Sequence, residues 1–152
     1  MNARRLLAAA SAAGALLALT ACEKPAPIVT VVSGGTSVYA EANTWCFEGQ
    51  SLEDEDCAER HVGDTELPVR GNEVVGVDVD KDLVERGWYI ELSDPAGGQQ
   101  QPQRSEPQTG HYFTFTAPNL PQGASLLLTV KALGEGAEGS SGEFRFTLVP
   151  KR

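Results

Sequence analysis

The sequence predicts an all-β chain, an immunoglobulin-like antiparallel β-sandwich of about seven strands behind a cleaved N-terminal signal. Three observations carry that expectation. From Ile28 onward the apolar residues recur with a period of two, not 3.6. The alternating runs are short and separated by turns rich in Gly and Pro. The second face of each run is polar, which suits antiparallel sheets with one dry side and one wet side.

The first element is not part of that sandwich. Met1 to Arg5 supplies a short cationic start through Arg4 and Arg5, and Leu6 to Leu19 is an Ala/Leu run broken only by Ser11 and Gly14. This is the pattern of a secretory signal, and it is short for a spanning helix of about 20 residues. Leu19-Thr20-Ala21-Cys22 closes it and resembles the bacterial lipobox. The spacing has a chemical reason. Small residues fit a narrow peptidase cleft, and a thiol is needed to form a thioether to diacylglycerol. Cleavage would leave Cys22 as the first residue, its new amine a further acylation point. The expected divisions are a lipoprotein signal peptide over 1–21, a lipidated tether over 22–27 and a β-sandwich over 28–152. Pro25 and Pro27 favour an extended tether, and its five residues after Cys22 reach about 17 Å at most. The domain would therefore sit close to the membrane.

Ile28 to Val32 reads as the first strand, ended by Ser33-Gly34-Gly35, with weaker strands over Thr36 to Ala40 and Asn43 to Phe47. Val75, Val77 and Val79 point one way. Asp80 to Arg86 is the one hint of helix, with Asp80 or Asp82 as its cap and Gly87 as its end. Trp88, Ile90 and Leu92 then alternate with Tyr89 and Glu91. Ser93 to Gly110 is a run of 18 residues without apolar pattern, rich in Gln, Pro and Gly, and reads as a mobile hairpin loop. Its Pro107-Gln108-Thr109-Gly110 resembles a sortase signal core, but a core strand follows where such a signal needs an apolar segment and a basic tail. Three more strands follow: Phe113 and Phe115; Leu126, Leu128 and Val130; Phe144, Phe146 and Leu148.

Composition narrows the function classes. The 152 residues carry a formal charge of −9. Removing residues 1–21 takes away Arg4 and Arg5, leaving 10 basic and 21 acidic side chains, a net of −11. Such a surface repels nucleic acid and anionic head groups, so no nucleic-acid partner is expected. Met1 is the sole methionine, and His61 and His111 are the sole histidines, which weighs against copper or haem.

The three cysteines divide into Cys22 at the signal boundary and a pair, Cys46 and Cys57, inside the domain. Export into an oxidising compartment makes that pair an expected disulfide. The loop it would close holds Glu48, Glu53, Asp54, Glu55 and Asp56, with Glu59 just outside. It reads as a solvated acidic loop. One alternative is a calcium site, since a hard cation prefers oxygen ligands, although the EF-hand spacing is absent. Another is a contact surface for a basic partner. Neither histidine has metal-ligand spacing, and His111 is in phase with Phe113 at the start of its strand, a rim position. No G-x-S-x-G elbow, phosphate loop or H-E-x-x-H motif occurs, so no catalytic residue and no cofactor are expected.

Taken together, Ala21-Cys22-Glu23-Lys24-Pro25, the early cysteine pair, Gly87-Trp88 and the ending Phe144-Arg145-Phe146-Thr147-Leu148-Val149-Pro150 resemble a family of actinobacterial secreted lipoproteins known only as a domain of unknown function. The resemblance implies a secreted, lipid-anchored, sandwich-like domain and brings no catalytic residues. The expectation is a cell-envelope lipoprotein on the extracytoplasmic face, held to the membrane through lipid on Cys22. Its domain would be a non-catalytic interaction or accessory module for an envelope protein partner. The alternative is ligand or calcium binding by the Cys46–Cys57 loop.

Overall fold

The computed structural model describes residues 25–47, 51–52, 57–59, 65–96, 101–134 and 139–152. Residues 1–24, which include the expected signal and Cys22, lie outside them. Two β-sheets pack face to face. The first has the order β2-β1-β6-β9, built from β1 (Ile28–Ser33), β2 (Thr36–Glu41), β6 (Val74–Val79) and β9 (Tyr112–Thr116). The second runs β4-β3-β11-β10-β7-β8, from β3 (Thr44–Trp45), β4 (Ala58–Glu59), β7 (Trp88–Ser93), β8 (Gln103–Arg104), β10 (Leu126–Leu133) and β11 (Ser140–Pro150). A further strand, β5 (Thr65–Val69), also pairs with β11.

The period-two reading places the core correctly. Val29 and Val31 of β1 and Val75, Val77 and Val79 of β6 are buried, and so are Trp88 and Ile90, Leu128 and Val130, and Phe144, Phe146 and Leu148 from the facing sheet. β-branched side chains on one sheet and larger ones on the other fill the layer between them, the arrangement that stacked sheets about 10 Å apart require. Trp88 and Phe113 meet edge to face across the sheets with centroids 6.4 Å apart. The helix α1 (Lys81–Arg86) crosses from β6 to β7, and its Leu83 is fully buried. Asp80 caps it by accepting from the Lys81 N–H, and Gly87 ends it at φ 81°, a left-handed value that suits glycine.

Two expectations need correction. The strands among the described residues exceed the seven or so expected, because β3, β4 and β8 have two residues each and too little length for an apolar period. Nor is the sandwich wholly antiparallel. β5 runs parallel to β11 over Phe146–Pro150, while β3 pairs antiparallel with Gly142 and Glu143 on that strand. β4 is antiparallel to β3 and so runs the same way as β5. β5 thus has the direction of β4 and lies one strand position inward of it.

Candidate functional site

Among the described residues the most heavily bonded polar group is the Arg86 guanidinium, at the root of the cysteine loop. Cys46 and Cys57 are joined, with S–S 1.99 Å and Cα–Cα 4.4 Å. Cys46 is fully buried at the end of β3, so the loop leaves the sheet from a fixed point. Arg86 reaches that point from the last turn of α1. Its Nη1 donates to the Cys46 carbonyl at 2.8 Å and to Ser141 Oγ at 3.1 Å, and its Nη2 donates to the Phe47 carbonyl at 2.9 Å. The Ser141 hydroxyl passes its own proton on to the Leu133 carbonyl at 2.6 Å. The guanidinium lies 4.2 Å from the centroid of the Trp45 ring, in cation–π contact. Burial lowers the Arg86 pKa from its ordinary value, opposed by the Asp82 carboxylate. Arginine stays cationic nonetheless, so a fixed positive charge is held against the Cys46 and Phe47 carbonyls.

Glu48, Asp54 and His61 lie outside the described residues, together with Glu53, Glu55 and Asp56. Glu59 is exposed on β4, opposite Thr44. Among the described residues no three His, Cys, Asp or Glu side chains are grouped as metal ligands. His111 is exposed, and its Nδ1 lies 3.1 Å from the Val79 carbonyl at the end of the β6–β9 ladder.

The Ser93–Gly110 stretch is more ordered than its composition suggests. Residues 97–100 lie outside the described set, but residues 101–110 run beside β7. The Ser105 N–H donates to the Ile90 carbonyl at 3.0 Å, and the Ser105 hydroxyl accepts from the Ile90 N–H at 3.1 Å. Trp88 and Gln108 exchange backbone bonds of 3.0 and 2.6 Å, and the Trp88 indole N–H donates to the Gly110 carbonyl at 2.8 Å. Arg104 stacks over Tyr89, 3.5 Å from the ring centroid. The correction has a simple physical cause. Backbone groups of an edge strand hold this segment, and backbone pairing leaves no mark in an apolar pattern.

Among the described residues the surface clefts include a smaller and a larger one. One of about 270 Å³ lies between Leu92, Gln103, Thr116, Pro118, Leu120 and Leu126. The other, about 690 Å³, lies between β5, the end of β11 and the Gln122–Ser125 turn, with Glu66, Lys151 and Arg152 on its wall. Their walls carry hydroxyls and charged side chains, with no histidine or cysteine in either lining. The outer face of the first sheet, by contrast, exposes Tyr39 (69%), Tyr112 (56%), Val74 (60%) and Ile28 (46%) beside Thr30 and Thr114. Exposed aromatic and apolar side chains of this kind suit contact with another surface.

Sequence reasoning did not identify Arg86. Its partners are backbone carbonyls some 40 residues upstream, and the only sequence signal it carries is its place in the last turn of a capped helix. No family model, curated protein or solved structure matches the chain.

Proposed function

We propose that this chain is a lipid-anchored lipoprotein of the cell envelope whose β-sandwich is a non-catalytic interaction module on the extracytoplasmic face. The observation that carries the reading is the run from Arg4 to Cys22: cationic start, Ala/Leu segment, then Leu19-Thr20-Ala21-Cys22. The domain supports it in two ways. Pro27 and Val29 are already buried, so a chain lipidated at Cys22 would enter the sandwich within a few residues. The surface also offers exposed tyrosines on a sheet face, suited to contact with another surface. An acidic domain has little attraction for anionic head groups, so Cys22 acylation is the main hold. Two or three acyl chains at about 0.8 kcal/mol per buried methylene make that hold stable.

The test is metabolic labelling with a fatty-acid analogue in an expressing bacterial host, followed by membrane fractionation. Wild type should carry label and sediment with membranes, and Cys22→Ala should lose both. Label and membrane retention that survive the substitution would overturn the reading.

A further inference from the structure

We propose that β9 is a pairing edge through which two copies of this chain join, with a two-fold axis at Thr114 that fuses their first sheets into one. The ladder between β6 and β9 fixes which backbone groups are free. Val79 N–H donates to the His111 carbonyl and Ala117 N–H to the Glu73 carbonyl, in register with the facing pairs Val77–Phe113 and Val75–Phe115. The odd-numbered residues of β9 therefore bond to β6, and Tyr112, Thr114 and Thr116 aim their N–H and C=O groups at the open edge. Among the described residues nothing bonds to that edge.

The other edges are closed or protected. β2 lies against β5 at the opposite side of the sandwich. β4 and β8 have two residues each, and carry Glu59 and Arg104. β9 has none of the usual devices against pairing, since Tyr112-Phe113-Thr114-Phe115-Thr116 contains no charge, no proline and no register shift. Pro118, which lacks an N–H, ends the usable edge just beyond it.

A second copy is the occupant because the strand is chemically symmetric about its centre. An antiparallel pair centred on Thr114 sets Thr114 against Thr114, Tyr112 against Thr116 and Phe113 against Phe115, all favourable cross-strand neighbours. The three outward-bonding pairs would exchange about six backbone hydrogen bonds. Phe113 and Phe115, only half-buried in one copy while the valines beside them are fully buried, would cover each other. Such an interface is isologous and closed, so assembly stops at two. The overall charge does not prevent it. Asp78 is the nearest acid on β6, and two copies of it would stand three strand spacings apart, about 14 Å, beyond the screening length of about 8 Å at physiological salt.

Sedimentation equilibrium of the full chain in density-matched detergent tests this. Wild type should behave as two chains, and Thr114→Lys and Thr114→Glu should each behave as one, because like charges would face each other on the axis. An equimolar mixture of the two variants should return to two chains. Thr114 is exposed, so both variants should still fold, with a melting temperature independent of protein concentration where that of wild type rises with it. Thr116→Lys reads the same edge off the axis should either fail to fold. A single-chain wild type, or charged variants that still pair, would overturn the proposal.

Discussion

Two glycines in this fold look alike in sequence and differ in what they tolerate. Gly142 of β11 stands opposite Trp45, and a Cβ there would come within 2.3 Å of the indole Cε3. Trp45 is 2% exposed and in edge contact with Phe144, so the ring has nowhere to go. Gly76 of β6 lies under Tyr112, and a Cβ there would meet the phenol oxygen, the free end of an exposed side chain. Gly142→Ala should therefore cost about 1–3 kcal/mol by overpacking, and Gly76→Ala should stay within about 1 kcal/mol of wild type as Tyr112 swings aside. Urea unfolding of both variants checks the contrast; equal losses would show that Tyr112 is as fixed as Trp45. Neither contact is visible in sequence, where Gly76 is a gap in a valine run and Gly142 sits between Ser141 and Glu143. Glu73 makes a second residue-scale case. Its carboxylate accepts from the Arg70 N–H at 3.1 Å and from Ser33 Oγ at 3.0 Å. The backbone bond from Arg70 leads in holding its pKa below 4.5, helped by Ser33, Lys151 and Arg70 against a desolvation cost. A depressed carboxylate stabilises the fold above its unfolded pKa, and that contribution fades as pH falls through the folded value. Glu73→Gln should flatten the fall in melting temperature below pH 4.5, and an unchanged acid slope would remove Glu73 from that role.

The elements divide by how they are held. Strands β6, β9, β10 and β11 were legible because side-chain burial shapes them, and burial writes a period-two pattern. α1 was legible from Asp80 and Gly87, its cap and its stop. β8 was not, because main-chain bonds to β7 hold Gln103 and Arg104, and both side chains face water. By its period Tyr89 falls on the wet face of β7, yet it is 5% exposed beneath Arg104, since a long cationic side chain can cover a ring as well as an apolar one can. The cysteine loop is held twice, by the disulfide and by Arg86. The pairing of Cys46 with Cys57 was legible; the arginine that grips the loop's first carbonyls was not. Closing a sequence separation of 11 is worth roughly 3 kcal/mol in the chain-entropy model. Cys46→Ser should lower stability by about that amount, and reductant should lower the wild-type melting temperature while leaving the variant unmoved. A wild-type curve indifferent to reductant would show that Arg86 holds the loop without help.

At the scale of the molecule, 10 basic against 21 acidic side chains beyond residue 21 leave the domain self-repelling. The exposed Lys81–Glu85 pair and the Lys131–Glu91 pair relieve little of this, since surface pairs contribute about 0–1 kcal/mol. Salt should therefore stabilise the domain. Its melting temperature should rise as sodium chloride is raised from about 10 to 150 mM, over which the screening length shrinks from about 30 to 8 Å. A fall would mean that local ion pairs outweigh net repulsion. The two-sheet architecture was readable because it follows from patterning summed over many residues. The parallel β5–β11 pairing was not, because it depends on where the chain goes between strands.

That pairing also sets an order in time. β11 lies inside the second sheet, with β10 on one side and β3 and β5 sharing the other. A chain made from its N-terminus has β3, β4 and β5 ready long before Ser140 to Pro150 appears, and until then β3 and β4 can pair only with each other while β5 lacks its partner strand. Half of the sheet must wait for its keystone. The second sheet therefore closes only once nearly the whole chain is available.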